Sequence, residues 1–111
     1  MTRKVTGKLV KSDTTPLSDI YIYFRPLAVM AYTTENEMVS LIPIEVVTDE
    51  EGYFETTLYA ETDFDTITSQ FIYDRMGYRI EIPSLGLIRL VTVPEGAEDI
   101  DWNKLGTRLD S

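Results

Sequence analysis

The sequence is written in short runs of period two. Ile20, Ile22 and Phe24 alternate with Tyr21, Tyr23 and Arg25. Phe54, Thr56 and Leu58 alternate with Tyr53, Glu55, Thr57 and Tyr59, and Tyr78, Ile80 and Ile82 with Arg79 and Glu81. Successive side chains of a strand point to opposite sides, so this pattern covers one face of a sheet; a helix needs its apolar residues three and four apart. Val5, Gly7 and Leu9 open the chain in the same way, and Leu87 to Val93 read as the last strand. Pro26, Pro83 and Pro94 each close a run, because proline cannot donate a ladder hydrogen bond. Pro43 within the run Ile42 to Val47 marks an edge strand or a bulge.

This punctuation gives about six or seven short strands and no segment long enough for a crossover helix. It predicts an all-β fold, a single antiparallel β-sandwich with long loops. The sandwich is expected over residues 1–94, with a short C-terminal tail over 95–111 that makes one helical turn at Ile100 to Leu105. Asp49-Glu50-Glu51-Gly52 is the clearest turn, and Gly52 supplies the positive φ that closes it. Residues 42–48 and 53–59 are therefore expected to pair as an antiparallel hairpin. Residues 27–39 read as a protruding loop or loose hairpin. Residues 60–76 mix helical spacing (Phe64, Ile67, Phe71) with strand formers (Phe71-Ile72-Tyr73) and read as a long loop with short elements.

Composition narrows the chemistry. The chain of 111 residues suits one domain and has no cysteine and no histidine. Disulfides, thiolate nucleophiles, thiolate zinc sites and the commonest general base are all excluded. A catalytic carboxylate pair would need a fixed separation of about 5 or 9 Å, which nothing in the sequence imposes. The expectation is a protein that is not an enzyme and has no cofactor. The formal charge of −9 opposes binding to a phosphate backbone and would attract a basic surface. No apolar run is long enough to span a bilayer, and no apolar signal region follows Met1-Thr2-Arg3-Lys4. Synthesis in the cytoplasm, with neither nucleic acid nor membrane as partner, is the expectation. Asp49, Glu50 and Glu51 could join Asp63 and Asp65, or Asp99 and Asp101, around calcium, but no complete ligand loop is present and a solvated acidic turn is the better reading.

Val5-Thr6-Gly7-Lys8-Leu9, Pro16-Leu17-Ser18-Asp19-Ile20-Tyr21-Ile22 and Thr48-Asp49-Glu50-Glu51-Gly52-Tyr53-Phe54 together resemble the transthyretin-like or carboxypeptidase-regulatory-like sandwich. In that likeness Gly7 leaves room for a close neighbour, Gly52 closes a turn and Phe54 enters the core. Ser18-Asp19 stands where the family often has a glycine. Further on, Tyr78 to Pro83, Val91 to Gly96 and Asp101 to Leu105 resemble small β modules of phage virion proteins, found in tail adaptors, fibres and capsid decorations. That resemblance implies a structural role in a virion, a capsid or tail protein as partner, self-association as another, and no catalytic residue.

The candidate contact residues are the outward aromatics and the apolar tips of loops and tail. Tyr21, Tyr23, Tyr53 and Tyr59 fall opposite the expected core face, and a tyrosine offers large area with one polar tip. Met30 and Tyr32 lie in the first long loop, Phe71 and Tyr73 in the second, and Trp102 and Leu105 in the tail. The competing reading has the tyrosines as ordinary cross-strand pairs under those loops, and Trp102 folded back over an open end of the sandwich. Docking of Trp102 on a partner is the expectation. An adhesion or carbohydrate-binding module is the alternative function.

Overall fold

The computed structural model describes residues 2–27, 30–32, 38–60 and 77–107, with backbone alone for 30–32, 38–40 and 107. Two sheets pack face to face. Strands β1 (Thr2–Lys8), β6 (Tyr53–Tyr59) and β9 (Ile100–Asp101) form the first, in the order β6-β1-β9. Strands β2 (Tyr21–Pro26), β5 (Ile44–Val47), β7 (Tyr78–Ile82), β8 (Leu87–Thr92) and β10 (Gly106–Thr107) form the second, in the order β10-β8-β7-β2-β5. Strands β3 (Met30–Tyr32) and β4 (Met38–Ser40) pair with each other, so the stretch read as a loop or loose hairpin carries a hairpin ladder. The fold is the expected all-β sandwich. Among the described residues all pairings are antiparallel except β1 with β9, where Val5 faces Ile100 and Thr6 faces Asp101.

The alternating residues meet between the sheets. Val5, Phe54 and Leu58 from the first pack against Ile22, Phe24, Tyr78, Ile80, Ile82 and Val91 from the second, all buried. The Phe24 and Phe54 rings bridge the layers with centroids 6.3 Å apart. Gly7 does what its place in the motif requires. A Cβ there would stand 2.6 Å from Trp102 Cδ1 and collide with the Phe54 ring.

The turn at 49–52 forms, but not the hairpin. Asp49 O accepts from Gly52 N–H at 3.0 Å, and Asp49 Oδ1 accepts from the N–H groups of Glu51 and Tyr53. Gly52 takes φ +77°. Yet β5 pairs with β2 and β6 with β1, so the turn carries the chain from one sheet to the other. Each arm is held beside a different strand. Buried Thr48 donates from Oγ1 to Leu17 O at 2.6 Å and accepts from Ile20 N–H at 2.9 Å, holding the end of β5 beside the approach to β2. On the other arm, Leu9 N–H donates to Gly52 O at 2.8 Å, which starts β6 alongside β1. Asp19, where the resembled family favours glycine, takes the left-handed φ of +58°. Aspartate tolerates that region better than most side chains, so the turn keeps its shape.

The segment read as a tail belongs to the sandwich. It adds β9 to one sheet and β10 to the other, and the 3-10 turn Trp102–Lys104 between them closes that side of the core. Ile100, Trp102 and Leu105 are all buried, which is where three apolar side chains beside an open edge lose the most water-exposed area. The loop before them is tied down by Arg3, whose Nε donates to Glu98 O at 2.8 Å and whose guanidinium also donates to the carbonyls of Pro94 and Glu95. The boundary expected after residue 94 is therefore not a structural one.

One buried group titrates with the fold. The Tyr78 hydroxyl accepts from Tyr59 N–H at 3.2 Å, and burial pushes its phenol up to about 12. The folded chain holds that proton more tightly than the unfolded chain, whose phenol titrates near ~10. Stability from Tyr78 is thus complete below pH ~10 and is lost as the pH rises toward 12, by about 2 kcal/mol. Urea midpoints measured across this range should fall less steeply for Tyr78→Phe than for the natural chain. Parallel curves would show that another group governs alkaline unfolding.

Candidate interaction face

The outer face of the five-stranded sheet is built by the residues between the buried ones. Tyr21, Tyr23 and Arg25 come from β2, Glu45 and Val47 from β5, Arg79 and Glu81 from β7, and Ile88 and Leu90 from β8. Register sets them in rows. Glu45, Tyr23, Glu81 and Ile88 follow one another across four strands; Arg25, Arg79 and Leu90 form the next row. At the other end Tyr21 lies beside Val47.

The polar groups of this face satisfy one another. Arg25 and Arg79 are direct cross-strand neighbours, an arrangement that repels unless an anion intervenes. Glu81 intervenes, with Oε1 2.7 Å from Arg25 Nε and Oε2 2.8 Å from Arg79 Nε. The hydrogen bond from Arg25 and the two positive charges hold the Glu81 carboxyl below its ordinary range. Arg25 also lies over the Tyr23 ring, 5.5 Å from its centroid. Desolvation, followed by the Glu45 carboxylate beside it, raises the Tyr23 phenol. Two arginines and two glutamates sum to zero, so this face carries none of the chain's net −9. Around that network stand exposed apolar groups: Tyr21 at 51%, Val47 at 42% and Ile88 at 62% exposure. Leu85, on the 3-10 turn Pro83–Leu85, is exposed beside them. Two shallow hollows flank Pro83. One is lined by Asp19, Ile20, Tyr21, Tyr23 and Ser84, the other by Arg79, Glu81, Gly86, Leu87 and Ile88.

No protein-family model matches the chain, and no curated protein is significantly similar to it. The face has to be read from its own chemistry.

The structure divides the contact residues expected from the sequence. Tyr21 and Tyr23 lie together on this face. Tyr53 sits on the opposite side of the molecule, on the outer face of the three-stranded sheet, with its hydroxyl 3.3 Å from Glu55 Oε2. Tyr59 is half-buried against the core and lines a groove with Leu41, Ile42 and Ile44. Trp102 and Leu105 are core residues, so they are no surface anchor. The Trp102 indole packs edge-on to Phe54, with centroids 5.8 Å apart, and Arg89 lies over its ring at 5.8 Å. Met30 and Tyr32 lie on β3, where the backbone alone is described, and Phe71 and Tyr73 lie outside the described residues. Sequence reasoning missed Val47, Ile88 and the Arg25–Glu81–Arg79 group as parts of one surface. The outward positions of Arg79 and Glu81 were legible from alternation, but their cross-strand company was not.

Among the described residues no group of three or more acidic side chains converges as a metal site. The Asp49 carboxylate instead serves its own turn. No helix of the described residues is long and apolar enough to cross a membrane.

Proposed function

We propose that this chain is a non-catalytic structural component of a virus particle, and that it docks on a neighbouring virion protein through the outer face of its five-stranded sheet. The observation that carries the docking is the composition of that face. Stable interfaces concentrate tyrosine, arginine and aliphatic groups and avoid unpaired charge. Here Tyr21, Tyr23, Val47 and Ile88 surround the Arg25–Glu81–Arg79 group, whose charges are paired with one another. Such a face loses water with little penalty from unsatisfied groups, and its network is preformed, which spares ordering cost on binding. The setting in a virion rests on the likeness of the Tyr78 to Pro83 and Val91 to Gly96 stretches to phage β modules.

Ile88→Asp tests this reading. The side chain is 62% exposed, so the change should leave the chain folded and cost about 1 kcal/mol, from the low strand preference of aspartate and its place opposite Glu81. It places a further, unpaired charge within the contact, which costs affinity heavily once desolvated. The variant should give the natural circular dichroism spectrum and a reduced occupancy on purified particles, by about tenfold or more. Full occupancy of the folded variant would move the contact off this face.

A further inference from the structure

Resting on that docking reading, we infer that the hollow between Tyr21, Tyr23, Pro83 and Asp19 is a socket for one arginine side chain of the partner surface. Tyr21 and Tyr23 are two apart on β2 and so share a face, and both line a hollow of about 240 Å³ with Asp19, Ile20, Pro83 and Ser84. Its chemistry is selective. The Tyr21 ring is exposed and free of a cation among the described residues, and a single carboxylate, Asp19, lines the same hollow. A guanidinium is planar, stacks on aromatic faces and binds a carboxylate with paired donors, so it uses both groups at once.

Three further observations point the same way. The Asp19 carboxylate has no hydrogen-bond or ion-pair partner among the described residues. The backbone that carries it is fixed, because Asp19 N–H donates to Thr48 O at 3.0 Å while its own φ is +58°. An aspartate held in that region where a glycine would fit more easily gives the hollow a charge that the turn does not need. Arg25 already covers Tyr23 at 5.5 Å, so the surface accepts a guanidinium on its tyrosine, while Tyr21 is left 51% exposed with no cation over it among the described residues. Charge selects the partner at long range as well. The exposed carboxylates of Asp49, Glu50 and Glu51 begin two residues beyond Val47, and a chain of −9 draws basic surfaces toward that end of the face.

The test uses the full chain, labelled with nitrogen-15, and N-acetyl-arginine amide as the probe. Amide shifts should saturate at Asp19, Ile20, Tyr21, Tyr23 and Ser84 and weaken at high salt. Asp19→Asn keeps a side chain that tolerates the left-handed region, so the fold is preserved while the charge is lost. That variant should bind about tenfold more weakly. N-acetyl-norleucine amide, which has the stem without the guanidinium, should not bind. Absence of saturable shifts with the arginine probe, or an unchanged affinity in Asp19→Asn, would overturn the socket. Tighter binding of methyl α-glucoside at the same residues would overturn it too and assign the hollow to a sugar. If the socket fails while Ile88→Asp still empties the particles, docking through this face stands without it. If the socket holds and Ile88→Asp changes nothing, the docking reading is the one lost.

Discussion

Trp102→Ala should unfold more of this protein than any other change of one side chain at the C-terminal segment, lowering stability by about 3 kcal/mol. Truncating a buried tryptophan commonly costs about 3 to 5 kcal/mol through lost transfer energy and the cavity left behind. Trp102 is 8% exposed and fills the space above Gly7, against Phe54 and under Arg89. The lower end of that range applies because its indole Nε1 is buried with no hydrogen-bond partner among the described residues, so removing the side chain also relieves a penalty of about 1 kcal/mol or more. Trp102→Phe, which keeps a ring and drops the unpartnered N–H, should cost about 1 kcal/mol. A urea titration reads both, with the alanine variant's midpoint falling by about 2 M. A natural midpoint in Trp102→Ala, with occupancy on particles lost, would return Trp102 to the role of surface anchor.

Gly52→Val should cost about 3 kcal/mol or more, from two effects that add. The residue has φ +77°, where a β-branched side chain is strained. A Cβ would also run into the carbonyl oxygen of Leu9, which cannot retreat, because the same residue's N–H donates to Gly52 O at 2.8 Å. The collision is therefore with backbone that ties the turn to β1. Gly86 separates the two effects. It has φ +64°, and a Cβ there meets nothing within 4 Å. Gly86→Val should show the conformational term alone, about 1 to 2 kcal/mol. Equal midpoint shifts in the two variants would mean that the contact with Leu9 contributes nothing.

Strands with clean alternation were legible in the sequence. Ile22 with Phe24, and Ile80 with Ile82, are buried on schedule, and their neighbours Tyr23, Arg25, Arg79 and Glu81 point outward. Alternation tells which face of a strand is buried, but not which strand lies beside it. That is why Ile44–Val47 and Tyr53–Tyr59, joined by a tight turn, were expected to pair and instead belong to opposite sheets. The same crossing separates Tyr53 from Tyr21 and Tyr23, which looked equivalent in one dimension. The partner of each arm is chosen by Thr48 and Gly52 through hydrogen bonds to residues about 30 and 40 positions earlier, beyond the reach of local pattern.

The C-terminal segment failed for a different reason. β9 and β10 are two residues each, too short to show a period, and Ile100, Trp102 and Leu105 sit at irregular spacing around a 3-10 turn. Ile88 was hidden by its surroundings. It lies in the stretch Leu87 to Val93, where the one charged residue, Arg89, lies over buried Trp102 and so marks the wrong side as outward. Only its register, opposite Glu81, places it on the outer face.

Docking through the outer face of the five-stranded sheet leaves the outer face of the three-stranded sheet in solvent. Hydroxyl-radical footprinting compares the two directly, because a tyrosine reports on each. Tyr21 and Tyr53 are both exposed in the free chain, at 51% and 38%. In purified particles Tyr21 and Ile88 should be protected from oxidation while Tyr53 stays as reactive as in the free protein. Protection of Tyr53 with Tyr21 and Ile88 unchanged would contradict the account and put the contact on the three-stranded sheet.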